Sequence, residues 1–320
     1  MIPSIGMPVS KLKSGLANRW VGVGSGGVDN IVYSNDGISW TGCGKPVFTG
    51  TGYAVANNGK IWVAGGTGGT NTLAYSLDGI SWFACANPTL STVYDICWNG
   101  TFFTAVGSGT NDYFQKSTDG ISWTALGKDM FTATVKAIGW NGTAFIAASG
   151  ANIAYATSNL YFSLCDNTLL STISRIFWNG SYWTAIGTGS VNLIATSPDT
   201  YGNTWTGRGK GTMNTQATGG AWNGTFSLLT GNSLSTALII KTTGVSTYTQ
   251  WASILSNATG NGYCMGYNGS LWIWGGYDSY GITNIASSPD GTTFTSRGNI
   301  LSSMNSVSSY PAPGLFPAII

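Results

Sequence analysis

Five aromatic residues hold one place in an internal repeat of this 320-residue chain: Trp98, Trp140, Trp178, Trp222 and Tyr267. Each stands directly before an Asn-Gly dipeptide. If such rings are exposed, they form a repeated platform for stacking sugars. If they are buried, they are packing between sheets. Across a two-residue Asn-Gly turn, Trp98 would oppose Thr101 and Ile96 would oppose Phe103 on one face. That arrangement favours packing and leaves a partly exposed binding ring as the alternative.

The acid–base inventory is narrow. All eleven acidic residues are Asp, and Glu and His are absent. Without imidazole there is no Ser-His-Asp or Cys-His relay and no His metal site. Five of the Asp residues, Asp36, Asp78, Asp119, Asp199 and Asp290, fall in one recurring turn, where a carboxylate accepts backbone N–H bonds. They read as structural rather than catalytic. A hydrolase built on two Asp is formally open but disfavoured. The glycine-rich stretches Gly22–Gly27 and Gly65–Gly69 lack a following helix and a Gly-Lys-Ser/Thr, so they read as loops rather than phosphate cradles. No cofactor and no metal site are expected.

The five cysteines, Cys43, Cys85, Cys97, Cys165 and Cys264, show no metal-binding spacing. Cys43, Cys85 and Cys165 each lie three residues after an equivalent aromatic in different units, too far apart to pair. Free thiols are expected. The matches of Asn99, Asn141, Asn179, Asn223 and Asn268 to the glycosylation sequon read as turn chemistry, because Asn-Gly is what a tight hairpin turn requires.

These residues are positioned by a repeat. Asn-Gly followed by an aromatic and small residues places an anchor at 20, 62, 103, 145, 183, 227 and 272, seven units of roughly forty residues. That length suits a four-stranded propeller blade. A second anchor follows about twenty residues later: Ser34-Asn-Asp-Gly-Ile-Ser-Trp40, Ser76-Leu-Asp-Gly-Ile-Ser-Trp82 and Ser117-Thr-Asp-Gly-Ile-Ser-Trp123. Later copies drift: Ser197–Trp205 carries an insertion, Ser288–Phe294 swaps Trp for Phe, and the fourth and sixth copies have lost the Asp. In the third unit the strands read as Val93–Trp98, Thr101–Gly107, Tyr113–Ser117 and Ile121–Leu126. No segment has a convincing helical period. Counting sixteen residues on from Phe294 reaches Tyr310, so about Ser303–Pro311 should supply the first strand of the first blade. The rival for that place is Lys11–Asn18.

The Ser-x-Asp-Gly-x-x-Trp turn resembles the Asp-box, or BNR repeat, with one residue fewer before Gly. Asp-box propellers include sialidases, sortilin-like receptors and photosystem assembly factors, and their box lies between the third and fourth strands of a blade. The repeated Trp-Asn-Gly-Thr and Asp-Gly-Ile-Ser-Trp units are also similar to repeat proteins of large DNA viruses and phages. Sialidase chemistry would need three clustered Arg, a Tyr nucleophile activated by Glu, and an Asp acid. This chain has only Arg19, Arg175, Arg208 and Arg297, and no Glu. That departure argues against the activity.

The expected architecture is all-β: a single seven-bladed β-propeller of four-stranded antiparallel blades over residues 16–311, closed by the C-terminal segment. Residues 1–15 would form an arm and 312–320 a tail. The net charge of +2, with charged residues only 8% of the chain, provides no basic stripe for nucleic acid, and no apolar run is long enough for membrane insertion. The first residues show no signal peptide, which points to cytosolic assembly and then to a virion. The expected function is non-enzymatic: a structural or assembly protein whose partners are other proteins, with lectin-like glycan binding as the alternative and a glycoside hydrolase third.

Overall fold

The computed structural model describes residues 18–165, 169–211, 213, 215–232, 238–244, 248–253, 260–278 and 281–310. The expected arm (1–15) and tail (312–320) lie outside them. Among the described residues, twenty-eight strands form seven four-stranded antiparallel blades. Five blades are separate sheets, whereas the sixth and seventh are joined into one by a single pairing, Asn232 with Asn261. No helix among the described residues is long and apolar enough to cross a membrane.

The third blade shows the pattern. Its strands, from the axis outward, are Thr92–Trp98, Phe103–Ser108, Phe114–Ser117 and Thr124–Ala125. The innermost strands of the other blades are Gly52–Asn57, Ala137–Trp140, Thr172–Trp178, Gln216–Trp222, Gly260–Tyr267 and, for the first blade, Ser303–Ser309. The last of these pairs antiparallel with Trp20–Ser25, so Ser303–Ser309 closes the ring; the rival Lys11–Asn18 lies, but for Asn18, outside the described residues. The predicted anchor Tyr310 falls one residue past the strand. Ser309 occupies the aromatic's place, and Tyr310 instead donates its hydroxyl to the Gly59 carbonyl at 2.7 Å.

Each blade is too thin to cover its own faces, so the apolar residues gather between neighbours. There are seven such clusters, one for each interface around the ring. Their centres are the second-strand anchors Trp20, Trp62, Phe103, Phe145, Trp183 and Trp272, all about 1% exposed or less. The sixth blade carries Ser227 at that place.

The Asn-Gly hairpin differs from the sequence reading. Trp98 opposes Phe103, not Thr101, and the four residues between them form the turn. The cause is the Asn side chain. Asn99 Oδ1 accepts the N–H groups of Thr101 (2.9 Å) and Phe102 (2.8 Å), doing the work of a backbone carbonyl, while Gly100 takes φ +95°. Asn141, Asn179, Asn223 and Asn268 repeat these contacts.

The Asp turns lie between third and fourth strands. Asp36 Oδ1 accepts from the N–H groups of Ile38 and Ser39, each at 2.8 Å, and from the Ser34 hydroxyl at 2.9 Å. Asp78, Asp119 and Asp290 repeat the set. In the enlarged fifth turn, Asp199 accepts from Tyr201 N–H at 2.7 Å. The fourth turn keeps the geometry without Asp: Asn159 Oδ1 accepts from Thr157 and Tyr161. Gly37 sits at φ +71°, and a Cβ there would run into Leu271 of the preceding blade. Each turn thus latches onto the neighbouring blade.

Candidate functional site

In an antiparallel blade, the first–second and third–fourth turns lie at the same end. The Asn-Gly turns and the Asp turns therefore share one face of the ring, the hairpin face. On this face a cavity of about 690 Å³ opens on the propeller axis, lined by residues of all seven blades. Trp98, Trp140, Trp222 and Tyr267 stand at its mouth, but Trp178 is not among its lining residues. Below the mouth the wall is aliphatic: Val55, Ile96, Ile138, Ile176, Met265 and Val307. Asp95 and Arg175 also line it.

Trp140 is buried at 8% exposure, and the other four rings are half-buried. Four of the five lean on the second-strand ring of their own blade. Centroid distances are 4.6 Å for Trp98–Phe103, 4.4 Å for Trp140–Phe145, 5.4 Å for Trp178–Trp183 and 4.7 Å for Tyr267–Trp272. Trp222 is the exception. It opposes Ser227, whose buried hydroxyl has no hydrogen-bond partner. For Trp98 the sequence favours packing, with a partly exposed ring as the alternative; one side rests on Phe103 while the ring borders the cavity.

Beneath the mouth lies a feature that the repeat pattern did not reveal. In six blades the innermost strand carries a β-bulge, at Tyr53, Tyr94, Ser174, Thr218, Tyr263 and Asn305. A bulge turns a backbone group out of the ladder. Three of these carbonyls receive the Arg175 guanidinium. Nη1 donates to Tyr94 O at 3.3 Å, and Nη2 donates to Tyr53 O at 3.2 Å and Asn305 O at 3.4 Å. Arg175 thus crosses the axis from the fifth blade to the first three.

Asp95 completes the floor. Its carboxylate is 4.0 Å from Arg175 Nη1 and accepts the N–H groups of Ile96 and Ile138, each at 3.0 Å. Burial raises its pKa above the usual carboxylate range, against the pull of Arg175 and the two N–H donors. Its 17% exposure is to the cavity walled by protein. An alternating strand with one Arg gives no sign that its side chain will span a channel, and only the ring geometry shows it.

The other arginines are elsewhere. Arg19 donates to Asn35 and to the Asp78 carbonyl, clipping the first blade to the second. Arg208 and Arg297 bond Thr196 and Ser287 beside the outermost strands. The three-arginine clamp is not assembled.

Asp36, Asp78 and Asp119 hold their charge by hydrogen bonding. The N–H of Ser39 does most to keep Asp36 below its ordinary pKa. Burial alone would raise Asp78 and Asp119, but the turn N–H groups and the Ser hydroxyl outweigh it and the net shift is downward. None of the five cysteines is in a disulfide. Burial pushes Cys43, Cys85 and Cys264 up to about 12. Among the described residues no group of three or more Cys or Asp could hold a metal ion.

No protein-family model matches the chain, and no curated protein matches it. Solved structures do. A structure of YCF48 bound to a D1 peptide is 14% identical with a TM-score of 0.60, covering 82% of this chain and 86% of that one. The WD40 β-propeller domain of Doa1 is 12% identical with a TM-score of 0.62, covering 85% and 88%. A nidogen/laminin complex matches at 8% identity and a TM-score of 0.54, covering 92% and 99%. At these identities the likeness is one of architecture, and by architecture this chain is a seven-bladed β-propeller.

Proposed function

We propose that this propeller is a non-enzymatic structural and assembly protein that binds other proteins through its turn-bearing faces, as a component of a larger particle such as a virion. The observation that carries the reading is the exposure of large apolar side chains at both ends of the ring. Leu77 (60%) and Tyr161 (77%) project from the hairpin face. Val28 (79%), Val191 (71%) and Ile282 (66%) project from the opposite one. With charged residues only 8% of the chain, such a surface is better suited to being covered than to standing in water. The absence of His and Glu, and the dispersal of the four Arg, support a non-catalytic role. The place of the Asp turns between third and fourth strands supports kinship with Asp-box propellers. Two similar folds come from structures described with polypeptide partners, a D1 peptide and a nidogen/laminin complex.

Glycan binding is the second reading, favoured by the half-exposed rings of Trp98, Trp222 and Tyr267 at the cavity mouth. Fractionation of the native source, followed by cross-linking, tests the first reading. Recovery of the chain in a stoichiometric complex supports it, and recovery only as a free monomer opposes it. Binding to a glycan array that is lost on Trp98→Ala or Tyr267→Ala supports the second.

A further inference from the structure

We infer that the axial cavity is a socket for a neutral, extended polypeptide segment that presents one bulky apolar side chain, with Trp222 as its stacking ring. This rests on the protein-interaction reading and names the chemistry of the partner.

The wall selects the side chain. Six aliphatic residues below the mouth offer contact to an apolar group but no hydrogen bonds to a hydroxylated one. A saccharide at that depth would bury polar groups without partners, which is costly. The polar side chains deep in the socket are already engaged: Arg175 with three carbonyls, Asp95 with two N–H groups, and Ser306 Oγ as acceptor of the Val55 N–H. Charge complementarity selects neutrality. Asp95 and Arg175 face each other, so an entering Lys, Arg, Asp or Glu would find no unpaired counter-charge in a desolvated space.

The rim selects the backbone. Asn99, Asn223 and Asn268 line the cavity. Their Oδ1 atoms are held by their own turns, which fixes the orientation of each amide. The Nδ2 groups have no described partner, so the mouth carries free donors. The backbone carbonyls of an extended chain are the matching acceptors.

Trp222 is singled out because it breaks the repeat's rule. The other four rings have an aromatic partner in their own blade, whereas Trp222 has Ser227 with a buried, unpartnered hydroxyl. The adjoining Gly219 and Gly220 put no side chain into this sector of the cavity. A face of Trp222 is therefore open to a ligand, and its removal takes away no ring stack.

The test is methyl NMR of the full chain, reading Ile96, Ile138 and Ile176. The probe is a pentapeptide with one central tryptophan among glycines, capped at both ends. We expect it to shift these methyls selectively, with binding weakened about tenfold or more by Trp222→Ala. Peptides with a central lysine or aspartate should bind at least tenfold more weakly. If Trp222→Ala does not fold, Trp222→Leu keeps an apolar side chain without the ring. No shift with the tryptophan peptide, an undiminished shift in the variant, or an equal Trp222-dependent shift with maltotriose overturns the inference. The assembly reading fails separately, if the native chain is found only as a free monomer.

Discussion

Replacing Arg175 with Met should weaken the ring in a way that depends on pH. The substitution keeps an aliphatic reach but removes three donor contacts, of 3.2, 3.3 and 3.4 Å, to carbonyls of the first three blades. It also strands Asp95, now 4.0 Å from the guanidinium. Removing one partner of a buried pair costs about 3–5 kcal/mol. The Arg175 side chain is 24% exposed to the cavity and its bonds are long, which argues for the lower end, about 3 kcal/mol. The sign with pH follows from Asp95. Burial already raises its folded pKa, and losing Arg175 raises it further. A folded state that holds a proton the unfolded chain has released loses stability as pH climbs through the folded value. The variant should therefore be closer to wild type at pH 5 than at pH 7.5. Urea unfolding of wild type, Arg175→Met, Asp95→Asn and the double variant at both pH values measures this. We expect a coupling of about 1–3 kcal/mol at pH 7.5 and less at pH 5. A variant within about 0.5 kcal/mol of wild type, or a loss equal at both pH values with no coupling to Asp95, would refute the axial-tie account.

Three further outcomes follow from the same geometry. Asp36, Asp78 and Asp119 have depressed pKa values in the folded state, so their contribution is present above the ordinary carboxylate pKa of about 4 and is lost as pH falls through the lower folded values. The single substitution Asp119→Ala should cost about 1–2 kcal/mol near neutrality and less in acid, whereas Asp119→Asn should cost less than Ala because Asn159 already serves the fourth turn. Alkylation of the native protein at pH 8, read by mass spectrometry, should reach half-buried Cys165 well before Cys85, Cys97 or Cys264, which are buried with raised pKa values. Trp140→Ala should destabilise by about 3–5 kcal/mol and Trp222→Ala by clearly less, because Trp140 is buried against Phe145 and Trp222 has no such ring.

The period of the repeat made the blades, their number and the closing strand readable before any coordinates, because each of these depends on local turn chemistry and alternation. The details of the site depend on seven blades meeting at one axis, and there local patterns fail. The bulges at Tyr53, Tyr94 and Asn305 arise where innermost strands crowd together, and nothing in their neighbours' identities announces them. Asn99 looked like half of a two-residue turn, whereas its carboxamide organises four. The fourth turn reads as a copy that has lost its Asp, and only the structure shows Asn159 in that place as the acceptor. Ser227 was aligned with the aromatic anchors, but only the register across the hairpin shows that its serine leaves Trp222 without a ring to lean on.

The closed ring is the claim on which the cavity and everything at its mouth depend. It can be tested by the double variant Ser25→Cys with Ser303→Cys. These residues are register partners, with their hydroxyl oxygens 2.9 Å apart, across the seam between the two ends of the described chain. Mild oxidation of the folded protein should cross-link them within one molecule, with the bond located by peptide mapping and the urea midpoint raised. A failure to cross-link, or links found only between molecules, would contradict a propeller closed by Ser303–Ser309.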